Sequence, residues 1–328
     1  MRRREFISTL SGAVAWPILA GAQERERIRR IGVMMGLPED DPEAQVLATA
    51  LREGLQQSGW IEGHNIRVDY RWEVNNPERS HEAVKELLAL SPDVIMPGTT
   101  QMTQAARDAR GEVPVIFVNV TDPVGTGLVE SLARPRGKVS GFTNFEYGMS
   151  EKWLQALREI APGIMRTAVI VNVRNPNAAL FVNSIEHAAK TLGLGLAVLA
   201  VNEAAELENA VREFSREVNG SLVVTPDALT VGNRERIIAA AARHRLPAAY
   251  PFRLFVTSGG LLSYGTDRAD LYRRAAAYVD RVLKGAKVGD LPVQQPTRFD
   301  LVLNLRTANA LGLTIPPTLL ARADEVIQ

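Results

Sequence analysis

Short apolar runs alternate with helix-periodic segments along most of the chain. The runs are rich in Val, Ile and Leu without strict alternation, which is typical of parallel strands covered on both faces. The segments between them repeat their apolar residues with the period of a helix. The predicted strands are 31–35, 66–72, 94–96, 115–119, 167–173, 196–201, 221–225 and 248–250, and the predicted helices include 43–58, 77–89, 178–192 and 203–218. This alternation predicts an α/β fold with right-handed crossovers.

The strand–helix pattern occurs twice in succession. Four predicted strands precede the segment 139–146, and four follow it. The tail then adds an apolar segment at 260–264, a helix at 269–283 and a strand at 299–305. A tail of this kind favours two similar lobes between which the chain crosses more than once. One continuous doubly wound sheet and two independent domains are the alternatives.

The first 22 residues differ from the rest of the chain. Arg2, Arg3 and Arg4 precede a short apolar run, and the small residues 20–22 precede a charged run. A basic start, a short apolar stretch and an A-x-A site are the features of a secretory signal peptide. Because Arg3 and Arg4 are followed by Phe6, residues 1–22 also resemble a twin-arginine export signal. We therefore expect a protein that is soluble in the periplasm after cleavage near Ala22. A basic amphipathic helix on a cytosolic protein is the alternative.

Composition excludes several classes of protein. The 328 residues carry a formal net charge of +1, and a charge so near zero gives no footprint for nucleic acid. The absence of cysteine excludes disulfides, cysteine-ligated zinc and thiol nucleophiles. The four histidines are far apart in the sequence, so we predict no metal site and no cofactor. The chain contains neither a P-loop nor a G-x-S-x-G nucleophile elbow, which disfavours the enzymes that use them.

Polar and aromatic residues follow the predicted strands, and ligands of open α/β sheets bind at those carboxyl ends. Thr99 and Thr100 start a helix, where free N–H groups can hold a carboxylate, although they can equally serve as a helix cap. Asp122 and Asp227 are candidate partners of an ammonium or hydroxyl group, or else turn residues. The full set of candidates is Thr99, Thr100, Gln101, Asp122, Thr143, Asn144, Asn175, Asp227, Tyr250 and Phe252. Tyr250 and Phe252 share one face of a strand and are either core residues or a stacking wall.

Several longer strings carry a resemblance to a known family. They read DPV at 122–124, GLVESLARP at 127–135, GGLLSYG at 259–265, LKGAK at 283–287, DLPV at 290–293, LGLTIP at 311–316 and ADEVI at 323–327. Together they resemble the periplasmic substrate-binding proteins of ABC transporters, in the branch that includes tryptophan-binding-like members. The resemblance spans essentially all of the chain after the predicted leader.

The resemblance implies the type I periplasmic-binding fold, in which two α/β lobes joined by a three-segment hinge close on a ligand. On that basis lobe 1 comprises residues 23–142 plus 267–290, and lobe 2 comprises residues 143–266 plus 291–328. The ligand loops of the family correspond here to Thr99, Thr100, Asp122, Thr143, Asn144, Asn175 and Asp227. The turn after the third strand departs from the family pattern at Gln101 and Met102, so the solute of a relative cannot simply be transferred.

Three functions are compatible with these observations. The first is a monomeric binding protein that delivers a small solute to a membrane permease. The second is a ligand-responsive regulator of the same fold, and the third is a periplasmic enzyme that uses the cleft carboxylates. We expect the first, with a small carboxylate as the solute, either an amino acid or an aromatic acid. A neutral sugar is the main rival ligand.

Overall fold

The computed structural model describes residues 27–146 and 148–328, so the predicted signal peptide lies outside the described residues. The strands are β1 Arg29–Met34, β2 Ile66–Arg71, β3 Val94–Pro97, β4 Val115–Val120, β5 Val139–Thr143, β6 Arg166–Asn172, β7 Gly195–Val201, β8 Gly220–Val224, β9 Ala248–Tyr250, β10 Leu262–Gly265, β11 Asp300–Asn304 and β12 Glu325–Ile327. The helices are α1 Pro42–Gln57, α2 Pro77–Ala89, α3 Thr100–Asp108, α4 Gly148–Ile160, α5 Ala178–Thr191, α6 Ala204–Phe214, α7 Ala228–Gly232, α8 Arg234–Arg243, α9 Arg253–Thr257, α10 Arg268–Leu283, α11 Leu305–Leu311 and α12 Pro317–Leu320. A 3₁₀ turn spans Val288–Asp290.

Two sheets form the framework of the molecule. The first has the strand order β2-β1-β3-β4-β5 and is parallel throughout. The second has the order β12-β11-β10-β9-β8-β6-β7 and is parallel except where β10 pairs with β11. Helices cover both sheets, so the central strands are buried and apolar, as parallel strands require. The predicted α/β fold with two parallel-sheet cores is confirmed.

Helix boundaries follow local capping chemistry. Asp41 caps α1 by accepting a hydrogen bond from the Glu43 N–H, and Pro42 occupies the first turn. Asn76 caps α2 in the same way, and Thr99 caps α3. These three helices start after β1, β2 and β3, so their first turns lie on the side of the first sheet where those parallel strands end.

The chain passes between the two sheets at three places. The first crossing follows β5, the second follows β10, and the third precedes β11. The helix α10 returns to the first sheet, where it packs along α1. Leu291 and Val293 also belong to apolar clusters of the first sheet, and the Gln294 N–H donates to the Gly141 carbonyl at 2.8 Å. We therefore propose that lobe 1 extends to Gln294, four residues beyond the boundary expected from the sequence.

Within the described residues, no helix has both the length and the apolar character needed to cross a lipid bilayer.

Candidate functional site

A cavity lies between the carboxyl edges of the two sheets. It contains about 680 Å³ of empty space, its mouth included. Both lobes and the chain crossings contribute to its wall. The lining residues are Met35, Gly36, Leu37, Leu47, Gly98, Thr99, Thr100, Gln101, Asn119, Thr121, Asn144, Asn175, Pro226, Asp227, Ala228, Val231, Phe252, Arg268 and Tyr272.

The start of α3 forms one wall of the cavity. The Thr99 hydroxyl accepts a hydrogen bond from the Met102 N–H at 3.3 Å, which caps the helix. The Thr100 hydroxyl accepts from the Thr121 N–H at 3.3 Å and from Asn177 Nδ2 at 3.1 Å. Both hydroxyls therefore serve the protein's own structure. The N–H groups of the first helical turn have no acceptor within a helix, so this end attracts an anion through its backbone.

An irregularity in β4 turns Asn119 into the cavity. The pairing of β4 with β5 shifts between Phe117 and Val120, and Asn119 has a φ of 62°. Asn144 lies on the first crossing, where its Nδ2 donates to Asn119 Oδ1 at 3.0 Å. Its Oδ1 accepts from the Thr121 hydroxyl at 2.8 Å. This amide network ties the crossing to the carboxyl end of β4.

Asp227 brings a carboxylate to the cavity from lobe 2. Its Oδ1 accepts from Asn172 Nδ2 at 3.0 Å and from the Leu229 N–H at 2.8 Å, and its Oδ2 accepts from Asn175 Nδ2 at 2.7 Å. Burial raises the pKa of the Asp227 carboxyl, while the three hydrogen bonds oppose that rise. Since these donors are neutral, the carboxylate has no cation among its hydrogen-bond partners in the described residues. A cationic ligand group in the cavity would supply that charge.

A ring and a guanidinium form another part of the wall. Phe252 begins α9 and is buried, and the Arg268 Cζ lies 5.1 Å from the centre of its ring. Arg268 Nη1 lies 3.2 Å from Glu43 Oε1. Burial raises the pKa of the neighbouring Tyr272 to about 12, although the charge of Arg268 lowers it. This part of the cavity combines aromatic surface with a buried cation.

Direct contacts between the lobes close the cavity. Asp41 of lobe 1 pairs with Arg234 of lobe 2 at 2.8 Å, and the two side chains are only 10% and 13% exposed. Gln101 Nε2 donates to the Arg174 carbonyl at 2.7 Å, and the Arg174 guanidinium pairs with Glu78 at 2.6 Å. A ligand in this cavity would therefore touch both lobes at once.

Seven of the ten residues predicted from the sequence line this cavity. They are Thr99, Thr100, Gln101, Asn144, Asn175, Asp227 and Phe252. Each follows a strand at the carboxyl edge of its sheet or lies on the crossing after β5. The sequence pattern identified them because parallel strands bring their carboxyl ends together.

The other three predicted residues do not line the cavity. Asp122 lies in a turn at a φ of 38°, where its Oδ1 accepts from the Gly125 N–H. Thr143 is buried at the end of β5, and its N–H donates to the Gln294 carbonyl at 2.9 Å. Tyr250 is buried in the core of lobe 2, where its ring stacks on Phe255 at 5.0 Å. Burial also raises the pKa of the Tyr250 phenol. Among the interpretations left open above, these positions favour a turn for Asp122 and core packing for Tyr250.

Sequence reasoning missed Asn119, Arg268 and Tyr272. Asn119 was assigned to the end of an ordinary strand. No local sequence pattern predicts the register shift between β4 and β5 that reorients it. Arg268 and Tyr272 lie one helical turn apart on α10, a spacing that places them on one face. That spacing was available as a signal, and residues 267–290 were expected in lobe 1, but neither observation shows that this face of the helix lines the cavity.

No group of three or more His, Asp or Glu side chains within residues 27–146 and 148–328 is arranged to hold a metal ion.

Comparison with known proteins gives a consistent result. A tyrosine-binding protein of Clostridioides difficile is 28% identical over 261 residues, which is 80% of this chain and 75% of that relative. A conserved domain protein from Vibrio cholerae is 27% identical with a TM-score of 0.86, covering 92% of this chain and all of that one. An ABC domain from Streptococcus pneumonia in complex with L-Trp is 24% identical with a TM-score of 0.85, covering 91% and 99% of the two chains.

The family model described as ABC transporter substrate binding protein matches residues 33–327. That match includes both sheets except the first four residues of β1, together with the three crossings and every residue that lines the cavity. The chain therefore belongs to the ABC transporter substrate-binding protein family.

Proposed function

We propose that this protein captures an aromatic α-amino acid between its two lobes and delivers it to the permease of an ABC importer. The proposal rests mainly on the surroundings of the Asp227 carboxylate. It is a desolvated carboxylate at the cavity wall whose three hydrogen-bond donors are all neutral. The ammonium group of an amino acid would place a positive charge beside this carboxylate. An aromatic acid without an amine has no such group.

The rest of the wall fits the remaining groups of such a ligand. The start of α3 offers backbone N–H groups and a positive dipole end to the α-carboxylate. Phe252, Leu37 and Leu47 offer apolar surface to a ring. The related proteins named for tyrosine and solved with L-Trp support an aromatic amino acid.

Delivery and location complete the proposal. Closure of the lobes presents one continuous surface to a permease, so that the loaded state can be distinguished from the empty one. Residues 1–22 have the composition of an export signal, and we propose that the mature protein acts in the periplasm. Binding followed by delivery requires no chemical step, so we propose no catalytic role for the cavity residues.

Calorimetry tests the role of Asp227. L-Tyrosine, L-tryptophan and L-phenylalanine are titrated alongside their analogues that lack the α-amino group. We expect at least one amino acid to bind, and its analogue to bind much more weakly. Asp227→Asn removes a charge-assisted hydrogen bond and should weaken the amino acid by about 1.5–3 kcal/mol, with little effect on the analogue.

Asp122→Asn is the matched control, because it makes the same chemical change at a turn outside the cavity lining. Its affinity should equal that of the wild type. If the amino acid and its des-amino analogue bind the wild type equally well, the ammonium assignment is wrong. Binding of a neutral sugar with none of the three amino acids would overturn the whole proposal.

A further inference from the structure

Arg268 holds a buried hydrogen-bond donor, its Nε–H, at the wall of the cavity. The side chain is 10% exposed and lines the cavity. Nη1 pairs with Glu43, but the buried Nε–H has no hydrogen-bond partner among the described residues. A buried donor without an acceptor costs free energy, so native proteins rarely retain one without a partner. Because Arg268 lines the cavity, a hydrogen-bond acceptor on a bound ligand can be the partner of this N–H group.

The chemistry of that acceptor follows from the neighbours of Arg268. Glu43 already pairs with the guanidinium at 3.2 Å, so a second anion is not required and a neutral oxygen suffices. Tyr272 lies one helical turn beyond Arg268 on α10 and lines the same cavity, where its hydroxyl is close to Gly98. Phe252 presents its ring to the same guanidinium. A phenol fits these surroundings because its ring packs against Phe252 while its hydroxyl both accepts and donates a hydrogen bond.

Asp227 and Arg268 lie on the wall of the same cavity, although they belong to different lobes. Asp227 follows β8 and Arg268 follows β10, with β9 between them. Neighbouring strands are about 4.8 Å apart, so the two strand ends are separated by roughly 10 Å. Because Asp227 and Arg268 line the same cavity, a ligand held by Asp227 at its ammonium group can extend its side chain across the cavity toward Arg268.

We infer that Arg268 is a specificity-determining residue that selects an aromatic amino acid whose side chain ends in a hydrogen-bond acceptor, as in L-tyrosine. The inference rests on the proposed function and adds the ligand class within it. A binding site that hydrogen-bonds a ligand hydroxyl rejects the analogue lacking it, because the buried donor is then left without a partner. L-Phenylalanine lacks that acceptor, and the indole of L-tryptophan offers an N–H donor instead.

The test compares L-tyrosine with L-phenylalanine on the wild type and on Arg268→Met. On the wild type, L-tyrosine should bind about 10- to 100-fold more tightly. The variant lacks the Nε–H, so this ratio should fall to about threefold or less, mainly because L-tyrosine binds more weakly. Arg273→Met is the matched control, since Arg273 also joins α10 to α1 through a glutamate, Glu53, but lies outside the cavity lining. It should keep the wild-type ratio.

The wild-type ratio alone can overturn the inference, so the result does not depend on Arg268→Met folding. If L-phenylalanine or L-tryptophan binds as tightly as L-tyrosine, Arg268 does not select a side-chain acceptor, while the ammonium site at Asp227 still stands. If none of the three binds, the proposed function itself has failed. An unchanged ratio in a folded Arg268→Met variant also overturns the inference.

Discussion

At the scale of single residues, the cavity holds two opposite charges from different lobes. Asp227 belongs to the second sheet, while Arg268 lies on the helix that returns to the first. Neutral amides hold the carboxylate in place, whereas Glu43 and the Phe252 ring hold the guanidinium. Within the part of the chain that the structure describes, no cation hydrogen-bonds to the Asp227 carboxylate and no acceptor reaches the Arg268 Nε–H. A ligand with an amine at one end and an acceptor at the other supplies both.

The raised pKa of Asp227 predicts how the stability of the ligand-free protein depends on pH. In the unfolded chain this carboxyl ionises near 3.8, but in the folded protein burial delays ionisation to a higher pH. Protonation therefore favours the folded state, and stability is lost as pH rises from about 3.8 through the raised pKa. The free energy of unfolding of the wild type should fall relative to that of Asp227→Asn over this interval.

Urea denaturation of both proteins between pH 4 and pH 7 measures this difference, and other titrating groups cancel in the comparison. Curves that stay parallel across this range would show that Asp227 is not desolvated. A saturating amino acid ligand should reduce the difference, because its ammonium group compensates the ionised carboxylate.

The accuracy of a residue prediction depended on whether a local rule places the side chain. Asn175 and Asp227 directly follow buried strands, so the rule for parallel strands places them at the cavity. Tyr250 is only two residues from Phe252 and belongs to the same buried cluster, but only Phe252 lines the cavity, because Tyr250 is still within β9 whereas Phe252 follows its end. Asn119 depends on an irregular pairing between strands, which no single segment of the sequence encodes.

At the scale of elements, the long pairing of α1 with α10 positions Arg268. Gly54 lies at the point of closest approach, where an added Cβ would lie 2.4 Å from the Arg273 carbonyl oxygen and 2.7 Å from the Ala276 Cβ. Glycine lowers the stability of a helix interior by roughly 1 kcal/mol relative to alanine. Its presence in α1 is therefore explained by the close approach of the two helices.

Gly54→Ala should destabilise the protein even though alanine favours the helix. Overpacking at such a contact costs about 1–3 kcal/mol, which exceeds the gain in helix propensity. Thermal unfolding should show a lower Tm than the wild type. The control is Gly232→Ala at the end of α7, where nothing lies within 4 Å of an added Cβ and the Tm should be unchanged or higher. A Gly54→Ala variant as stable as this control would contradict the described packing.

The central strands and longer helices were predictable because their apolar residues recur at the positions that are buried. The strand predicted at 115–119 is β4, and the helix predicted at 77–89 is α2 with the same bounds. The short elements α12 and β12 were not among the predicted elements, whereas the equally short β9 was predicted because its three residues form an apolar run. The antiparallel pairing of β10 with β11 depends on the path of the third crossing rather than on either strand's own sequence.

At the scale of the whole molecule, the structure shows the lobes in contact around the cavity. The ion pair of Asp41 with Arg234 and the hydrogen bond of Gln101 to Arg174 each join one lobe to the other. Opening would return these polar groups to water, so their net contribution to closure is modest. We therefore expect the ligand, which contacts both lobes, to decide the balance between open and closed forms.

Measuring the distance between the lobes is the most direct test of whether an amino acid closes them through Asp227. The chain has no cysteine, so spin labels attach only at Glu82→Cys on α2 and Asn183→Cys on α5, both exposed positions. Pulsed electron paramagnetic resonance then measures the distance between the labels with and without L-tyrosine. We predict a broad or longer distribution without ligand, a single shorter distance with it, and no shortening in Asp227→Asn at the same ligand concentration. An unchanged distance when calorimetry shows the ligand bound, or equal shortening in Asp227→Asn, would contradict closure through this carboxylate.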